Sequence, residues 1–180
     1  VNVGSAEEAY RRGATAFAKL AADYPNNPEY ADGESAALQS IGLILRKRGK
    51  DSEAIVCYER VTAIIEGLAK GGDVEKRVNL AGVRGILGSF YLDAKQFDKA
   101  EAHLAGSQRD LTALVRESPE NMETLGALAG AHFLLGEFRV TQARNEEATT
   151  AYALAVECQL KVVARSGTTP ESLGNLAVFR

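Results

Sequence analysis

The stretch LQSIGLIL, Leu38–Leu45, decides the fold because it does not stand alone. It returns as RGILGSFY, Arg84–Tyr91, and as HFLLGEFR, His132–Arg139. Each copy carries a glycine inside an apolar run: Gly42, Gly88 and Gly136. A glycine in a helix interior costs about 1 kcal/mol relative to alanine, so something must offset it. Twelve residues after each glycine comes an alanine: Ala54, Ala100 and Ala148. Four residues further stand Tyr58, Leu104 and Tyr152, and then Val61, Ser107 and Ala155.

An earlier half copy, AEEAYRRGATAFAKL, supplies Ala9, Gly13 and Ala16 at the same offsets. The marker alanines at 9, 54, 100 and 148 give a period of 45, 46 and then 48 residues. A fixed internal interval in three copies identifies a repeat protein. One such unit cannot bury its apolar face alone, so neighbours stack into a continuous core.

Each unit reads as two helices. Leu38, Ile41 and Leu45 recur at helical spacing on the first; Ala54, Tyr58, Val61 and Ile65 do so on the second. YPNNPE, GGD, SPEN and TTPE start new helices, with Pro near the first turn. Gly49 follows the basic RKR as a C-terminal cap. The pattern predicts helices over 5–23, 30–48, 51–70, 74–94, 97–117, 121–143, 145–166 and 170–180. The glycines then face the small alanines across each helical hairpin. Close approach offsets the lost propensity through dispersion and buried area. On this reading Tyr58, Leu87, Tyr91, Leu104, Leu135 and Tyr152 are mostly buried.

Composition bounds the function. Of 180 residues, 46% are hydrophobic and 25% charged, which fits an ordered chain. The 21 Lys+Arg against 24 Asp+Glu leave a net charge of −3, which disfavours a nucleic-acid partner. No apolar run approaches the roughly 20 residues of a membrane span. The opening VNVGSAEEAY carries no signal-type core and reads as the cut end of a longer chain. Cys57 and Cys158 make no metal spacing and read as buried free thiols in a reducing, cytoplasmic setting.

The patterns L-x2-IG-x2-L, R-x2-LG-x2-Y and H-x2-LG-x2-R, followed by A-x3-Y or A-x3-L, resemble the tetratricopeptide repeat. The family's Trp position holds Leu38, Arg84 and His132, and its Tyr position in the last copy is Arg139. The helix-ending prolines come late, at Pro119 and Pro170, so the second helices run longer than usual. The first third, from EEAYRRGATAFAKLAADYP onward, resembles the long-period arrays that follow the kinase domain in some planctomycete-type bacterial serine/threonine kinases. The resemblance implies an all-α, right-handed superhelical array of antiparallel helix pairs. A single domain, 1–180, would hold three full pairs and a half repeat at each end. It also implies a regulatory or scaffolding segment.

No chemistry-bearing constellation stands out. His103 and His132 lack a nearby ligand cluster and read as structural. NEEA and SAEEA read as acidic first turns, and RKRGK as a solvated helix end. No Walker-type lysine, HRD or DFG is present. No catalytic residue, cofactor or metal is expected.

What remains is a surface. In the family the resemblance points to, first helices line a concave groove. Residues three before, one after and four after each repeated glycine share one helical face. These are Gln39, Leu43 and Arg46; Gly85, Ser89 and Leu92; and Phe133, Glu137 and Val140. The expected function is a non-enzymatic interaction module that holds a peptide or protein segment there. The alternatives are the regulatory segment of a larger bacterial kinase and, third, a helical-repeat RNA binder. The period and the acidic balance count against the last. PESLGNLAVFR, Pro170–Arg180, reads as the start of another first helix. Its Leu173, Leu176 and Phe179 are expected to give weak self-association through that end.

Overall fold

The computed structural model describes residues 3–166, with side chains from Ser5 to Arg165. The C-terminal helix expected at 170–180, with Leu173, Leu176 and Phe179, lies outside the described residues. Seven helices follow in order: α1 (Val3–Asp23), α2 (Pro28–Lys47), α3 (Asp51–Ala69), α4 (Val74–Asp93), α5 (Phe97–Glu117), α6 (Met122–Thr141) and α7 (Asn145–Ser166). Among the described residues there is no strand. α1 packs on α2, α2 on α3, α5 on α6 and α6 on α7, the nearest-neighbour pattern of a helical repeat.

The boundaries follow local chemistry. Asn27 Oδ1 accepts from the Glu29 amide and Asn121 Oδ1 from the Thr124 amide, so each satisfies an orphan donor at a helix start. Asp73 Oδ1 does the same for the Glu75 amide. Pro28 opens α2 as expected. Pro119 instead stands ahead of Met122, outside the first turn of α6.

The turn inside each pair is itself a repeat. Gly49, Lys95 and Ala143 occupy the same register and share a left-handed backbone, with φ of 69°, 58° and 57°. The next amide closes back on the preceding helix in each: Lys50 N to Leu45 O at 3.0 Å, Gln96 N to Tyr91 O at 2.8 Å, and Arg144 N to Arg139 O at 2.9 Å. This is the helix-ending closure that normally selects glycine. Only the first copy has one.

The chain forms two compact units. One holds residues up to Val83 together with Asp93–Lys95; the other holds Arg84–Leu92 and the chain from Gln96 onward. In each unit the glycine seam is the core. A methyl group at Gly42 would come within 2.6 Å of Tyr58 Cε2. At Gly88 it would come within 2.7 Å of Leu104 Cγ, and at Gly136 within 2.5 Å of Tyr152 Cε1. The large residue opposite each glycine is thus the one sixteen positions later. Ala54, Ala100 and Ala148 are buried beside these contacts, as are Val61, Ser107 and Ala155. Burying a Leu or Tyr side chain contributes about 1.5–3 kcal/mol, which outweighs the glycine's propensity cost.

Tyr58, Leu87, Tyr91, Leu104 and Leu135 are buried, as the register predicts. Tyr152 is only half-buried: its ring covers Gly136, but its hydroxyl reaches out to the Glu137 carboxylate. Gln159, whose polar side chain suggests an outer face of α7, is buried at 4% exposure. It continues the stripe of Ala148, Ala151, Ala155 and Cys158.

Candidate interaction site

On the first helices the nine expected contact positions lie beside the seam glycines, and some of them touch seam residues of the second helices. In the first unit, Gln39 is half-buried and its Nε2 donates to Ser35 Oγ at 3.3 Å. Leu43 is exposed at 46%. Arg46, in the last turn of α2, pairs with Asp93 at 2.6 Å.

In the second unit, Gly85 is buried. A methyl group there would meet Ser107 Oγ at 3.1 Å and Leu134 Cδ1 at 3.4 Å. Ser89 is buried too, and its hydroxyl donates to the Ile86 carbonyl at 2.8 Å. Leu92 is half-buried. Phe133 lies with its ring centroid 5.7 Å from that of Tyr152, tilted by 50°. Glu137 accepts from the Tyr152 hydroxyl, and Val140 is exposed at 50%. The nine positions therefore divide. Leu43 and Val140 present apolar side chains to solvent, whereas Gly85 and Ser89 serve packing. Phe133 and Glu137 both engage Tyr152.

Electrostatics follow burial. Removal from water pushes the Tyr58 hydroxyl up to about 12. Tyr152 also rises to about 12, first through desolvation and then through its bond to Glu137. Burial raises both thiols, Cys57 and Cys158, so neither is a ready thiolate. His132 is buried, and desolvation lowers its pKa, reinforced by Arg139 and opposed by Glu157. His103 stacks on Tyr91 at 5.3 Å, and Lys99 Nζ lies 5.0 Å from the same ring. Among the described residues, no three His, Cys, Asp or Glu side chains gather as a metal site would require.

Three features escape the sequence. The Asp93 partner of Arg46 has no motif. The left-handed backbone at Lys95 and Ala143 could have been found by aligning both with Gly49. The double role of Tyr152, as seam residue and partner of Glu137, could have been found from its place sixteen residues after Gly136 and fifteen after Glu137.

Comparison with protein-family models and with curated proteins finds no match to this chain. No helix among the described residues is long and apolar enough to cross a membrane.

Proposed function

We propose that the chain is a non-enzymatic protein-interaction module of tetratricopeptide type. Its helix pairs would coil into a right-handed superhelix whose first helices bind a peptide or protein segment in the cytoplasm. The observation that carries this reading is the exposure of Leu43 and Val140. Both sit at repeat positions on first helices whose other apolar residues, such as Ile41, Leu45, Leu135 and Phe138, are consumed by the core. Arg46, Glu137 and Gln39 supply polar contacts around them.

Site-specific photo-crosslinking tests the reading. A photoreactive residue at Leu43 or Val140, in native lysate, should capture a defined protein. The same residue at Glu59, on an exposed face of α3, should not. No capture above the Glu59 control at either position would overturn it.

A further inference from the structure

Glu137 has an unusual partner for a carboxylate of its unit. Glu101 and Glu147 pair with Arg144, and Glu157 pairs with Lys161. Among the described residues Glu137 has no basic partner; its Oε1 accepts from the Tyr152 hydroxyl of α7. Its other oxygen, Oε2, receives no hydrogen bond among those residues, and the side chain is exposed.

The phenol holds this carboxylate beside two rings. Phe133 and Glu137 stand one helical turn apart on α6, so they share a face. The Tyr152 ring reaches that face from α7. It covers Gly136, lies 5.7 Å from the Phe133 ring centroid at a tilt of 50°, and ends in the hydroxyl that binds Glu137. Both rings are half-buried and keep part of their surface in solvent. Desolvation and the Glu137 bond raise that hydroxyl to about 12, so at neutral pH it remains a hydrogen-bond donor.

A carboxylate beside two aromatic rings is the chemistry that receives a cation. The rings attract it through their quadrupoles, and the carboxylate adds a charge-assisted hydrogen bond. Tyr152 already holds the carboxylate in place, so little further ordering is needed on binding. The other copies lack the set: their matching residues are Gln39, Leu43 and Tyr58, and Gly85, Ser89 and Leu104. The face continues past the trio in both directions. Gly126 and Gly130 extend it towards the start of α6, where a methyl group at either would meet nothing within 4 Å. Val140 extends it towards the end. A bound segment can lie along α6 across all three side chains.

We propose that Phe133, Glu137 and Tyr152 form a site for a positively charged side chain, an arginine or lysine of the segment bound on the first helices. The proposal rests on the first helices being the binding surface. The cationic group lies against the rings and donates to Glu137 Oε2.

Selection from a random peptide library displayed on phage, with the full chain as bait, tests the proposal. The wild type should enrich arginine or lysine at one aligned position, well above its frequency in the unselected library. Glu137→Gln keeps an acceptor for Tyr152 but removes the charge. It should change the melting temperature little, lose the basic preference and weaken a selected peptide by about tenfold. Glu137→Lys should turn the preference towards acidic residues. Tyr152→Phe, which releases the carboxylate, should weaken the peptide by about threefold. Glutamine in place of the peptide's basic residue should cost as much as Glu137→Gln, and the two losses should not add. Glu59→Gln removes an equal charge from an exposed position of α3 and should leave the preference intact. Peptides without a basic preference, or with one that survives Glu137→Gln, would overturn the proposal. If Leu43→Ser and Val140→Ser still weaken such peptides, the first-helix reading stands without it. A preference lost equally in Glu59→Gln would also overturn it, because the attraction would then be to charge at large. No peptide captured above a blank support would overturn both the proposal and the reading beneath it.

Discussion

Gly88 lies directly beneath Leu104. A Cβ at Gly88 would stand 2.7 Å from Leu104 Cγ and 3.2 Å from the Leu104 backbone nitrogen. The other seam contacts, Gly42 with Tyr58 and Gly136 with Tyr152, end chiefly on tyrosine rings. The Tyr58 ring is enclosed and the Tyr152 ring is half open to solvent. The cost of a methyl group therefore depends on what can move. Gly88→Ala should destabilise by about 1–2 kcal/mol, because the overpacking exceeds the gain in helix propensity. Gly136→Ala should be near neutral, since Tyr152 can swing outward. Urea unfolding of the two variants checks the order, and equal losses would count against this account of the seam.

The left-handed turn positions give an opposite prediction. Ala143 and Lys95 hold a backbone that L residues adopt at a cost, in the register where Gly49 holds it freely. Ala143→Gly and Lys95→Gly should each stabilise by about 0.5–1 kcal/mol, after the extra freedom of glycine in the unfolded chain is offset. Gly49→Ala should destabilise by a similar amount. A melting temperature that falls in Ala143→Gly would show the turn to be relaxed.

How far these features were legible depends on whether they repeat. The helix boundaries and the seam repeat three times, so spacing alone finds them. Tyr58 and Leu104 fall in the core as their register requires. Tyr152 departs because its neighbour Glu137 stands where the first copy has Leu43, and a carboxylate draws the phenol outward. Gln159 departs because a polar name suggests an outer face, whereas Ala155 and Cys158 set the true stripe. Phe133 is an aromatic at a contact position, yet its ring packs on a tyrosine. Single side-chain partnerships of this kind leave no periodic trace.

Thr124 supplies a third test. Its hydroxyl is fully buried at the start of α6 and finds no hydrogen-bond partner among the described residues. A buried hydroxyl without a partner costs the desolvation of the group. Thr124→Val keeps the shape and removes the penalty, so it should stabilise by about 1 kcal/mol. The amide of Thr124 still receives its cap from Asn121 in the variant. A destabilised valine variant would mean that the hydroxyl has a partner, such as an ordered water.

His132 makes stability depend on pH. Its folded pKa lies below the ordinary 6.5, chiefly through burial. As pH falls through 6.5 the unfolded chain takes up the proton first, so stability drops on acidification and the folded state is favoured at neutral pH. Arg139 on α6 strengthens the effect and Glu157 on α7 weakens it. Lys161 and, more weakly, His132 lower the Glu157 pKa from its ordinary 4.5, so Glu157 itself titrates below this window. His132→Leu should narrow the difference in melting temperature between about pH 7.5 and about pH 5.5. An unchanged difference would place the pH dependence elsewhere.

The binding surface calls for variants that separate affinity from folding. Phe133→Ala removes a ring that packs on Tyr152, so it should cost about 1–3 kcal/mol of stability whether or not a ligand uses it. Arg46→Ala breaks the surface pair with Asp93, which should cost under about 1 kcal/mol. A loss of binding in that double variant, expected at about 2–4 kcal/mol if both residues touch the ligand, would mix the two causes. Leu43→Ser and Val140→Ser are cleaner. Both side chains are about half exposed, so stability should stay within about 0.5 kcal/mol. Each should weaken a captured partner by about 1–2 kcal/mol if the first helices carry the contact. Glu59→Ala, on an exposed face of α3, is the proper control; Gln159 is unsuitable because it is buried. Titration calorimetry with the captured partner decides the matter. If Glu59→Ala abolishes binding while both serine variants bind normally, the second helices form the interaction surface and the first helices serve only the core.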